Sequence, residues 1–65
     1  MYTYEFLISP ASNFIGIVLY KDKLTVSRDS TSINAFQSLD EAKSYLLDSV
    51  SSITGIDKSN YSALN

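Results

Sequence analysis

The chain has no cysteine, no histidine, one proline and two glycines, and only five of its 65 residues are basic. Each shortage excludes something. Without Cys there is no disulfide framework and no thiolate, so the chain carries no mark of its redox compartment. Without His the commonest transition-metal ligand and the usual proton carrier near neutral pH are gone. Five bases against seven acids give a net charge of −2, which disfavours loose binding to nucleic acid or to an anionic membrane. No apolar run approaches the roughly 18 residues that span a bilayer. No basic leader with a cleavage site is visible, so a cytoplasmic location is expected, or the host cytoplasm if the chain is phage-encoded.

What is present argues for folding. The hydrophobic share is 45%, and five Tyr and three Phe supply large apolar surfaces. A chain of this size holds one domain, and its burial barely offsets roughly 1.5 kcal/mol of ordering cost per residue. Disulfides and His or Cys metal sites being excluded, association with another chain is the remaining support.

Period-two alternation marks the strands. Residues 2–9, YTYEFLIS, put Tyr2, Tyr4, Phe6 and Ile8 on one side. PASN at 10–13 breaks the strand, because Pro10 has no N–H and Asn13 tolerates turn geometry. FIGIVLY at 14–20 is β-branched and aromatic, Asp22-Lys23 is a two-residue turn, and LTVSR at 24–28 alternates again. DSTS reads as a polar turn and INAF at 33–36 as a short last strand. Ser38-Leu39-Asp40-Glu41 is a capping box, with acids suited to the positive end of a helix dipole. Leu39, Ala42, Leu46, Val50 and Ile53 then recur at helical spacing, and Gly55 fits a left-handed C-terminal cap. The helix is expected over 39–53. The expected fold is therefore α+β: a four-stranded antiparallel β-meander with one C-terminal helix packed on one face. It forms a single domain over 1–56, followed by a flexible polar tail over 57–65.

Loop lengths fix which side chains share a face. If Ser9 pairs with Phe14 and Lys21 with Leu24, Tyr2, Tyr4, Phe6, Ile8, Ile15, Ile17, Leu19, Leu24 and Val26 lie together. With a four-residue turn at 29–32, Ile33 and Ala35 join them under the helix. The opposite face keeps Leu7, Phe14, Val18, Tyr20 and Phe36 among polar neighbours, and the chain has no second helix to cover it. A contiguous apolar patch with a polar rim is the pattern of an interface, with aromatics as its anchors. Those five residues are the candidate partner-binding site.

Catalysis finds little to work with. Twelve serines offer hydroxyls, but no base stands at a spacing that would activate one. There is no calcium-loop pattern, and neither Gly16 nor Gly55 belongs to a phosphate-binding loop. No catalytic residue, metal or cofactor is expected. The strand order followed by the SLDEA helix resembles HicB-type antitoxin domains and small phage proteins that block host enzymes. The expected function is a non-catalytic protein-binding module, in its narrower form a phage-encoded inhibitor of a bacterial defence system or host enzyme. The alternatives are a nucleic-acid-binding or HicB-like antitoxin module, and a self-associating structural protein. The expected partner is accordingly another protein or a second copy of the chain.

Overall fold

In the computed structural model, which describes residues 1–64, three long strands and a helix form first in chain order: β1 (Tyr2–Ser9), β2 (Phe14–Lys21), β3 (Leu24–Ser32) and α1 (Leu39–Thr54). A short strand, β4 (Tyr61–Ala63), closes the chain. The sheet order is β3-β2-β1-β4. The first three strands are antiparallel neighbours, and β4 runs parallel to β1. The architecture is thus a small α+β fold with a mixed sheet rather than a purely antiparallel meander.

The first hairpin follows the expected register. Ser9 pairs with Phe14, Ile8 with Ile15, Phe6 with Ile17 and Tyr4 with Leu19. Its connection is a 3₁₀ turn, Pro10–Ser12, closed by Asn13 at φ 56°, where Asn tolerates the left-handed region better than most residues. The second turn places Asp22 and Lys23 at φ 51° and 75°, the two positive values that a type I′ two-residue hairpin loop requires.

The second hairpin departs from expectation in two ways. Lys21 pairs with Leu24 and Tyr20 with Thr25, but Leu19 pairs with Ser27, leaving Val26 as a bulge. From there on the parity of β3 is inverted. Ser27, Asp29 and Thr31 share the helix side with Leu19, Ile17 and Ile15, while Arg28 and Ser30 share the opposite face with Val18 and Gly16. Without the bulge Arg28 would lie opposite Ile17, under the helix, where a guanidinium without a partner is costly. Val26, expected in the core, is exposed.

The DSTS segment is also strand rather than turn. Thr31 and Ser32 pair with Ile15 and Phe14, because a turn at 29 would leave the backbone of half of β2 without hydrogen-bond partners. The expected fourth strand at 33–36 is consequently a 3₁₀ turn, Ile33–Ala35, anchored by the Ile33 N–H on the Asn13 carbonyl at 2.8 Å.

Helix α1 begins where the capping box puts it, with the Glu41 N–H donating to Ser38 Oγ at 3.1 Å. It ends at Gly55, φ 75°, whose N–H reaches the Ser51 carbonyl at 2.9 Å. Ala42, Leu46 and Val50 are fully buried against Ile15, Ile17 and Leu19, and these six side chains are the core. Ile53 sits at the end of the same stripe but is 64% exposed.

Residues 57–64, marked in sequence as tail, return to the sheet. Tyr61 packs its ring beside Tyr2 and Tyr4, at centroid distances of 6.3 and 6.4 Å, and its hydroxyl donates to the Ile56 carbonyl at 2.9 Å. Lys58 Nζ meets Asp48 Oδ1 at 2.6 Å on the helix surface, and the Leu64 N–H donates to the Tyr4 carbonyl at 2.8 Å. An aromatic at the start of a short alternating segment was the sequence signal for this strand.

Candidate functional site

With α1 on one face of the sheet, the other face presents the alternate residues of each strand. Three cross-strand rows define it: Thr3–Tyr20–Thr25, Glu5–Val18–Arg28 and Leu7–Gly16–Ser30. Among the described residues no helix lies over these rows. A fourth row, Ser9–Phe14–Ser32, closes one end.

Four of the five candidate residues are on this face, in three degrees of exposure. Leu7 and Phe14 are 54% and 49% exposed, which is high for large apolar side chains on paired strands, Leu7 within β1 and Phe14 at the start of β2. Tyr20 is half-buried. Val18 is only 9% exposed, since Glu5 and Arg28 stand on either side of it and long side chains shield such a position with their stems. Phe36 is not on this face. Once 33–36 is a 3₁₀ turn rather than a strand, its ring turns to the helix side and packs on Tyr45 of α1 at 5.2 Å between centroids.

Residues that the sequence did not mark complete the surface. Arg28 and Ser30 arrive through the bulge at Val26, and with Leu7, Gly16 and Val18 they line a shallow open depression of about 390 Å³. Gly16 is its floor. A Cβ there would make ordinary contacts, 3.4 Å from the Asp29 carbonyl oxygen and 3.8 Å from the Ser30 Cβ, so the fold does not demand glycine at this point. At the far end Leu64 joins Thr3, Tyr20 and Lys23 around a second, smaller hollow. The cost of placing Arg28 beneath the helix was the one available clue to the first group.

The charges on the face are arranged rather than scattered. Tyr20 donates its hydroxyl to Glu5 Oε2 at 2.7 Å. That hydrogen bond, with partial desolvation and the Glu5 charge adding to it, holds the phenol above its ordinary pKa, while Arg28 pulls the other way. Arg28 is exposed and makes no ion pair or side-chain hydrogen bond among the described residues. The strands of the face therefore carry one acid on β1 and one free base on β3, separated by the apolar Val18, with Lys23 of the turn at the far end.

Among the described residues no group of three or more potential His, Cys, Asp or Glu ligands converges. No helix of the described residues is long and apolar enough to cross a membrane. The chain is a small α+β domain whose mixed sheet is covered by one helix on one side only. Compared with family models, with curated proteins and with solved structures, it has no match.

Proposed function

We propose that this chain is a protein-binding module that works without catalysis and uses the uncovered face of its sheet. The observation that carries the reading is the exposure of Leu7 and Phe14 beside the Gly16 depression, ringed by Glu5, Arg28, Ser9, Ser30 and Ser32. An apolar centre with a polar rim is the anatomy of a recognition surface. The presence of one acid, Glu5, and one base, Arg28, on the same face favours protein over nucleic acid, which calls for a stripe of bases to neutralise phosphates. The narrower role, inhibition of a host or defence enzyme, follows if the bound partner is an enzyme that loses activity on binding.

The test is site-specific photo-crosslinking in source or host cells. A crosslinker at Leu7 or Phe14 is expected to give a discrete protein adduct, and one at Ile53 on the helix side is expected to give none. Equal adducts from both sides, or none from the open face, would sink the proposal.

A further inference from the structure

The geometry points to a second copy of this chain as the occupant of the open face, docked about a two-fold axis that runs along β2. This rests on the reading above and names its partner. Two identical faces can meet only about a two-fold axis lying between them, and such an interface has to be self-complementary. An axis along β2 places β1 of one copy over β3 of the other, because these strands flank β2 on either side.

The consequences can be read row by row. Glu5 and Arg28 are both level with Val18, so Glu5 of each copy comes to lie over Arg28 of the other, twice. This gives the free guanidinium of Arg28 a carboxylate partner. Leu7 and Ser30 are both level with Gly16, so the protruding Leu7 of each copy falls on the Gly16–Ser30 depression of the other. On the axis itself the open-face positions of β2, Phe14, Gly16, Val18 and Tyr20, each lie over their own equivalents, with Val18 kept beneath the stems of Glu5 and Arg28. A face that is acidic on one flank, basic on the other, raised on one and hollow on the other has the asymmetry this axis requires. Aligned packing of two sheets about 10 Å apart accommodates it.

The area sets the strength. The domain measures 31 × 19 × 18 Å, so its broadest face projects to roughly 600 Å², below the roughly 800 Å² per partner of a standard stable interface. A contact of this size belongs with the small, transient class of interfaces, so the dimer is expected to form at high concentration and to dissociate on dilution.

The experiment is sedimentation equilibrium on the purified chain from micromolar to millimolar concentration, with charge-swap variants. Wild type is expected to dimerise as concentration rises. Glu5→Arg and Arg28→Glu each set like charges against one another and are expected to weaken dimerisation by about tenfold or more. Mixing the two variants restores complementary pairs and is expected to give a heterodimer, and the double swap is expected to give a homodimer. Arg28→Glu removes no hydrogen bond or ion pair within the chain, so it keeps the test decisive if Glu5→Arg, which loses the Tyr20 bond, fails to fold. A wild type that stays monomeric, an Arg28→Glu variant that dimerises as well as wild type, or a mixture that stays monomeric overturns the proposal. A monomeric pure chain that still crosslinks to another protein through Leu7 overturns self-association and leaves the binding module standing. Absence of both removes the two together.

Discussion

The hydroxyl of Ser49 on α1 donates a 2.5 Å hydrogen bond to Asp29 Oδ2 on β3, while Asp29 Oδ1 accepts the N–H of Ser30. This pair holds the edge strand to the helix at the point where the bulge has turned Asp29 inward. It is a short-reach, part-buried link between elements twenty residues apart in sequence. Removing either partner should cost about 1.5–3 kcal/mol, as for hydrogen bonds to a charged acceptor. Urea unfolding of Ser49→Ala, Asp29→Ala and the double variant would measure it. The double variant is expected to lose less than the sum of the singles, and strict additivity would mean the two side chains do not act as a pair.

The Asp22-Lys23 turn carries strain that a substitution should relieve. Lys23 sits at φ 75° with a full side chain, and the left-handed region costs a non-glycine residue about 1–2 kcal/mol. Lys23→Gly removes this cost but offsets part of the gain by raising the conformational entropy of the unfolded chain. The net expectation is a gain of up to about 1 kcal/mol, read as a higher urea midpoint at unchanged slope. The reverse result would mean that the Lys23 side chain contributes more to the turn than its backbone costs.

Removal of residues 57–65 tests whether the returning segment is part of the fold. It would delete β4, the Tyr61 packing on Tyr2 and Tyr4, and the Leu64 N–H bond to Tyr4. A loss of about 2–4 kcal/mol is expected, a large share of the stability of a domain this small. Tyr61→Phe isolates the hydroxyl bond to the Ile56 carbonyl and should cost about 1 kcal/mol. Truncation that leaves the midpoint unchanged would show the segment to be uncoupled from the core.

Much of this architecture was legible because it is locally encoded. The capping box at Ser38 and Glu41, the Ala42–Leu46–Val50 stripe and the Ser9–Phe14 register all follow from residues close in sequence. What escaped depends on tertiary competition. The bulge at Val26 shifts register by one residue, which local alternation cannot reveal when Thr25, Ser27 and Asp29 are all tolerable on either face. DSTS has the composition of a turn, yet the unpaired edge of β2 recruits it as strand. The parallel β4 needs a partner some sixty residues away, and Tyr61 is its one strong side chain. Of the candidate residues, Leu7, Phe14, Val18 and Tyr20 lie on the uncovered face because β1 and β2 keep the expected register, and Phe36 does not because 33–36 is a 3₁₀ turn rather than a strand.

Tyr20 provides a spectroscopic report on the open face. Its phenol donates to Glu5, and that bond, followed by desolvation and the Glu5 charge, raises its pKa against the opposing pull of Arg28. A raised folded-state pKa on an acid means that the native state holds the proton more tightly than the unfolded chain. The contribution of this group to stability is therefore complete below the ordinary tyrosine pKa near 10 and is lost as pH rises through the folded value. In an absorbance titration of the phenolate band, the Tyr20 equivalent should ionise above the ordinary value, and Tyr20→Phe should remove that equivalent. Glu5→Gln, which keeps an acceptor but discards the charge, should move it to lower pH. Arg28→Glu should move it higher still, by replacing an attractive charge with a repulsive one. A Tyr20 equivalent that titrates at its ordinary pH, indifferent to both substitutions, would show that the Glu5–Tyr20–Arg28 arrangement does not hold in solution.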